Sequence, residues 1–230
     1  MLGMLVACST EEATLAREVA AHGLTANARA LADTFSESKA QALYARFVRN
    51  GTAILPSFVR EWSGLRPRSM TDPRLAFASP AQREEIAAQA SAFRPQDAAA
   101  NRIVHDMHYR IVREMQAAGV QLLAGTDGRM FGFDLHDELQ EEVTAGLTPM
   151  QALQTATRNA AAYLGRLDSL GTVETGKLAD LVLLDANPLD AIANTTKVHA
   201  VVVNGRLLDR RALDRMEAQM KQASQPDRVQ

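Results

Sequence analysis

Two short apolar runs constrain the fold of this chain more than any other feature. "TAILPSFV" covers residues 52–59 and "VQLLAGTD" covers residues 120–127. Each is apolar on both alternations, as a strand buried on both faces would be. Residues 60–119 separate them, which suits a crossover rather than a hairpin. Strand, long crossover, strand and then helices is the order of parallel α/β units. Pro56 marks the end of the first run. The second ends on Asp127, with Gly128 directly after it. A carboxylate at the end of a buried strand is costly to desolvate without a partner, and a cation is the obvious one.

Helical patterns flank both runs. Residues 10–22 read as a helix with Thr10 as N-cap, acids in the first turn and Gly23 as the stop. Residues 37–49 read as an amphipathic helix with Leu43, Phe47 and Val48 on one side, stopped by Asn50-Gly51. Residues 60–100 carry Pro67, Pro73, Pro80 and Pro95 and read as an irregular excursion with one helix near 80–92. From about Asp97 to Ala118 a long helix repeats Ile103, Met107, Ile111 and Met115 every four residues. Gly119 closes it. After Asp127, "DLHDELQEEVTAG" and "TPMQALQTATRNAAAYLG" read as two helices, the second with Thr148 as N-cap and Pro149 at its first position. From Gly171 onward the pattern turns β-rich. "GTVETGKLADLVLLD" and "KVHAVVVNGRLL", with turn glycines Gly171, Gly176 and Gly205, predict a small antiparallel module. "DRRALDRMEAQMKQA" reads as a terminal helix with a frayed end beyond it.

Bulk properties narrow the function classes. With 230 residues, 47% of them hydrophobic, the chain can bury a sizeable core. The formal net charge is -2, only 5% of residues are aromatic, and there is no basic stripe, which argues against nucleic acid as a partner. Cys8 is the single cysteine, so an intramolecular disulfide and a thiolate zinc site are both excluded. No apolar run approaches the roughly 18 residues of a membrane span. "LVAC", ending at Cys8, is similar to a lipoprotein cleavage box, although no Lys or Arg precedes it and the apolar run is short. The other reading is a strand or helix remnant in which Cys8 is a small buried apolar residue.

Five stretches carry a family resemblance: "AGTD" at 124–127, "LHDEL" at 135–139, "AGLTPMQALQTATRNAA" at 145–161, "GTVETGKLADLVLLDANPL" at 171–189 and "VVVNGR" at 201–206. In this order and spacing they resemble the C-terminal portion of the amidohydrolase superfamily, in its imidazolonepropionase-like and prolidase-like branch. The likeness is firm over residues 120–210 and looser over 1–119. Ala160 stands where many relatives have Pro. The resemblance implies an α/β fold: the last strands and helices of a partial (β/α)8 TIM-type barrel, plus part of a small β-sandwich. Residues 1–165 would be the barrel part, 166–209 the β-rich sandwich segment, and 210–230 a C-terminal helix and tail. Active sites of such barrels sit at the C-terminal ends of the strands.

The resemblance assigns Asp127 two roles, metal ligand and catalytic group that takes a proton from a metal-bound water and passes one to the leaving nitrogen. It implies a divalent metal, commonly zinc, and a small amide or dipeptide-like substrate. The family's other metal ligands are a His-x-His pair, an acid or carboxylated Lys, and two further histidines. They have no counterpart here, and a catalytic zinc needs about three protein ligands. Tight metal binding and turnover by this chain alone are therefore not expected. Self-association, docking onto a related barrel, or completion by an N-terminal barrel segment is expected instead. The compartment stays open: cytoplasm is favoured, with a periplasmic or lipoprotein form if a targeting segment precedes Met1.

Other polar residues have two readings each. His136, in "LHDEL", either lines the mouth of the site and touches substrate or packs and caps the start of its helix. His105 and His108 share a helix face. They form either a metal pair or, as expected for a helix outside a barrel and far from Asp127, a solvated or satisfied face. Glu138 and Glu141 or Glu142 are expected on a solvated face, Thr157 and Asn159 in helix packing, and Asp180 in a sandwich turn or at a strand entry. His22 and His199 are expected to be structural.

Overall fold

The computed structural model describes residues 2–128, 130 and 132–224. Helices dominate. In order they are α1 (Leu2–Ala7), α2 (Glu12–Ala26), α3 (Ala28–Asp33) and α4 (Glu37–Asn50). After strand β1 (Ala53–Ile54) come α5 (Phe58–Leu65), α6 (Pro80–Ala92) and α7 (Ala98–Ala117). Strand β2 (Gln121–Leu122) leads into α8 (Phe133–Ala145), α9 (Pro149–Ala156) and α10 (Arg158–Tyr163). Strands β3 (Leu181–Leu184), β4 (Val198–Val203) and β5 (Arg206–Leu208) follow, and α11 (Arg210–Ala223) closes the order.

The predicted parallel pairing is present. Ala53 faces Gln121 and Ile54 faces Leu122 in a parallel register, and Leu123 N donates to Ile54 O at 2.9 Å. The strands are much shorter than the apolar runs suggested. Pro56 offers no N–H, Ser57 takes a left-handed φ of 55°, and Phe58 and Val59 start α5 instead of extending β1. Burial on both faces also fails at Leu55, just past β1, which is 49% exposed.

The long helix is as its period predicts. Met107, Ile111 and Met115 are buried and Ile103 is packed against them, in a core with Leu5, Leu31, Tyr44, Phe58 and Leu122. Gly119 ends it at φ +84°. Cys8 belongs to the same core, and burial pushes its thiol up to about 11, so it is a packed residue and not a nucleophile.

Several local details differ from the sequence reading. Helix α2 starts at Glu12 with no side-chain cap, because Thr10 instead donates its N–H to Thr34 O beside the Ser9–Phe35 bridge. Gly23 does interrupt the helix as expected: at φ 80° and ψ 173° its backbone is not helical, and a second helical piece continues to Ala26. Val48 is exposed on α4, while Leu43 and Phe47 pack inward. The helix starting at Pro149 has the expected N-cap at Thr148, which Gln151 closes into a capping box, but it breaks at Thr157 into α9 and α10. Asn159 then donates to Leu122 O at 3.0 Å, and Gln121 donates to Asn159 O at 3.0 Å, tying β2 to α10.

The β-rich end is an antiparallel three-stranded sheet in the order β3-β4-β5. Only the end of "GTVETGKLADLVLLD" is strand; residues 171–180 are turns and irregular chain. Asp180 accepts from Asn204 N at 2.5 Å, holding the entry to β3 against the β4–β5 turn. Helix α11, capped by Asp209, returns to the proline-rich excursion, where Ser224 donates to Phe77 O at 3.0 Å. The expected frayed end falls on 225–230, outside the described residues.

Candidate functional site

Asp127 does not end a strand. It stands in the loop five residues beyond β2, at a left-handed φ of 42°. The loop is fixed from below by α8. Asp134, 3% exposed, accepts from Met130 N at 2.7 Å and from Arg68 at 2.6 Å. Arg68 also holds Asp72, whose carboxyl falls to about 2: burial opposes its charge, but hydrogen bonds from Arg74 and Arg68 outweigh it.

This clamp explains Gly128. A Cβ there would lie 2.1 Å from Asp134 Oδ2 and 2.8 Å from its Cγ. Gly128→Ala is expected to destabilise the fold by about 2 kcal/mol, since the carboxylate cannot yield without leaving Met130 N or Arg68. Urea unfolding measures it, and a loss under about 0.5 kcal/mol would show the loop to be loose.

The Asp127 side chain is 56% exposed, so the cost of desolvation does not arise. Its cation is a side chain of this molecule: Arg60, on the outer face of α5, pairs with it. Both residues line a cavity of about 420 Å³, together with Leu55, Glu61, His105 and His108. The two histidines are thus not remote from Asp127, contrary to the expectation for them. They are buried, so of the two expected forms of this face, solvated or satisfied, it takes the satisfied one. Glu61 explains this. Its Oε2 is 2.9 Å from His105 Nδ1, and its Oε1 is 2.5 Å from His108 Nδ1.

Helix α8 departs furthest from expectation. Glu138, Glu141 and Glu142 lie in the interior, with Glu138 and Glu142 at 0% exposure. Phe58 N and Val59 N, in the open first turn of α5, donate to Oε1 and Oε2 of Glu138, both at 2.9 Å. Even so, burial pushes its carboxyl up to about 8. Arg66 donates to Glu141 Oε1 at 2.8 Å, Tyr109 donates to Oε2, and His105 Nε2 lies 3.5 Å from it. With a carboxylate near each ring nitrogen, His105 holds its proton. Burial works against that charge, but Glu141 and Glu61 outweigh it and raise the imidazole to about 9. Burial raises Glu142 to about 7. The Thr155 hydroxyl, 2.8 Å from Glu142 Oε2 and 2.6 Å from Ala152 O, donates to the carboxylate and partly opposes that rise.

His136 is half-buried on α8, and its Nδ1 is 3.0 Å from Thr195 Oγ1, in the 3-10 turn Ile192–Thr196. It does not line the Asp127 cavity. Burial lowers its pKa. His199 pairs with Asp185 and His22 lies beside Glu18, both at the surface.

Among the described residues no group of three or more His, Cys, Asp or Glu is arranged to hold a metal ion. Asp127 itself is neutralised by a guanidinium. The residues present therefore do not fit a metal centre by themselves. The sequence reading missed Arg60 and Glu61. The usable signal was the pair of histidines at i, i+3, which required an acid from another element.

A family model described as "Amidohydrolase family" matches residues 76–208. The 5-methylthioadenosine/S-adenosylhomocysteine deaminase of Moorella thermoacetica is 38% identical over 121 residues, covering 42% of this chain and 28% of that protein. An imidazolonepropionase of Aromatoleum aromaticum is 65% identical over 37 residues, covering 16% of this chain and 9% of that protein. Among solved structures, a bottromycin amidohydrolase aligns at TM-score 0.63 and 27% identity, covering 77% of this chain and 41% of that one. A Xaa-Pro dipeptidase crystallised with methionine aligns at TM-score 0.52 and 25% identity, covering 71% and 36%. The chain spans less than half the length of each of these proteins.

Proposed function

Because this chain belongs to the amidohydrolase family, we propose that it forms the closing part of a metal-dependent hydrolase of carbon–nitrogen bonds other than ordinary peptide bonds. Cyclic amides and dipeptides ending in proline are the substrate classes in view. In this reading β1 and β2 are the last two strands of a (β/α)8 barrel to which residues 1–165 contribute. Residues 166–209 contribute to a small β-sandwich, and 210–230 are the terminal helix and tail.

The observation that carries the reading is the placement of Asp127. It follows the strand of a parallel pair, on a loop clamped by Asp134, with its carboxylate over a cavity and out of the core. Such a carboxylate can accept a proton from one group and return it to another. Asp127 would be one donor to a divalent metal, zinc in this proposal, which would supply Lewis-acid chemistry only with further donors from a companion segment. His136, bonded to Thr195 and away from the cavity, has the packing role in this reading and not the substrate contact.

A second reading, a non-catalytic subunit that docks onto a complementary barrel, is favoured by the pairing of Arg60 with Asp127. Exposed apolar residues of the sheet, Val182, Val203 and Leu207, fit either reading, since both need a covering chain. No helix among the described residues is long and apolar enough to cross a membrane.

Mixing decides between the readings. The purified chain is expected to bind no stoichiometric zinc and to show no amide hydrolysis. Addition of a polypeptide carrying the His-x-His part of a related barrel is expected to give a complex that retains zinc and turns over. A complex that forms but stays inactive with zinc supplied supports the subunit reading. Stoichiometric zinc and turnover in the chain alone would overturn the dependence on outside donors.

A further inference from the structure

Helix α5 lies between the Asp127 loop and the pair α7 and α8, and groups that titrate provide most of its polar attachment. At its first turn two backbone N–H groups rest on Glu138. In its middle Glu61 meets His105 and His108. Just past its end Arg66 meets Glu141, which also faces His105. Its apolar hold is Phe58, fully buried with its ring edge-on to His105 and Tyr109, together with Val59. Its outer side carries Arg60 to Asp127.

We propose that α5 is a pH-operated strap, docked on α7 and α8 through carboxylate and imidazole groups, whose undocking at alkaline pH lifts Arg60 from Asp127 and opens the cavity beneath it.

The direction follows from which state holds more protons. Glu138 is sealed under the first turn of α5, and opening returns it to water. Docked, its carboxyl sits near 8, far above an ordinary glutamate, so the docked state keeps a proton that the open state releases. His105, held near 9 by Glu141 and Glu61, does the same over a higher range. Each group's contribution is complete below its ordinary pKa and is lost as pH rises through the docked value. The other carboxylates facing this contact act in the same sense. On α8, Glu142 adds a third carboxylate beside Glu138 and Glu141, and once His105 is neutral, Glu61 and Glu141 lose the cation between them. Arg66, with Arg102 near Tyr109, remains charged and retains part of the attachment. Docking therefore weakens by up to about tenfold per pH unit for each of the two groups where both are titrating.

Hydrogen exchange on the full chain from pH 6 to 10 tests this. Amides of 58–65, corrected for intrinsic rates, are expected to lose protection at least about tenfold more than those of α7 between pH 7 and 9, with far-UV circular dichroism unchanged. Glu138→Gln, which carries no titrating proton, is expected to flatten the dependence by about half on a logarithmic scale. His105→Gln is expected to leave α5 poorly protected already at pH 7. Protection that stays flat to pH 10, that falls in step with α7, or that keeps its full slope in Glu138→Gln would overturn the strap. The consequence for Asp127 rests on the functional reading above, but the exchange readout does not. Failure of the strap and failure of completion into a hydrolase are therefore separate results.

Discussion

Asp127→Asn is expected to lower kcat/KM of the completed enzyme by roughly 10³-fold while leaving the unfolding of this chain almost unchanged. The first half follows from chemistry. An amide cannot take up a proton as a carboxylate does, and positioned acid–base groups contribute about 10²–10⁴-fold. The second half follows from exposure. Asp127 is 56% and Arg60 63% exposed, and a surface ion pair of this kind contributes about 0–1 kcal/mol. Asparagine is the right replacement because it tolerates the left-handed backbone at φ 42°, which alanine does not. The measurements are kcat/KM of the reconstituted complex and a thermal melt of the variant chain. Undiminished turnover would remove Asp127 from the chemistry. A large fall in melting temperature would make it a structural residue.

Glu138→Ala is expected to cost about 3 kcal/mol at pH 6, the largest loss of stability we expect from removing a single polar side chain here. Two N–H groups of α5, Phe58 N and Val59 N, lose their acceptor in the interior, and each orphaned buried group costs about 1–3 kcal/mol. Removing an acid whose ionisation burial opposes recovers part of this. Glu138→Gln keeps one acceptor oxygen and is expected to lose about 1 kcal/mol. The pH dependence separates the effects. The folded carboxyl is raised to about 8, so the folded state binds more protons than the unfolded one above pH 4.5. Wild-type stability therefore falls as pH rises toward 8, and both variants lack this share of the fall. Urea unfolding at pH 6 and at pH 8.5 measures both. A loss below about 0.5 kcal/mol for Glu138→Ala would mean that α5 does not depend on this carboxylate.

The same helix shows where reading the sequence stops. An acid-rich segment such as "DLHDELQEEV" has every local sign of a solvated face, and periodicity correctly groups Glu138, Glu141 and Glu142. Their burial is decided by what covers them. Glu138 is reached from Phe58, 80 positions away, and Glu141 from Tyr109, 32 positions away. Likewise Asp127 announces a partner without naming it, and the partner is Arg60, 67 positions earlier.

Residue patterns along the chain were enough for most elements, several of their ends and one strand pairing. That includes the parallel pairing of two separated apolar runs, the inward stripe of α7, the Thr148 N-cap, and the glycine stops at Gly51 and Gly119. Tertiary structure alone decided which ionisable groups lose water: the Glu61–His105–His108 contact, the three buried glutamates and the Arg60–Asp127 pair. A residue's neighbours along the chain fix its backbone and its face. The cost of a charge depends on the dielectric and the hydrogen-bonding partners around it, and in this molecule those arrive from distant segments.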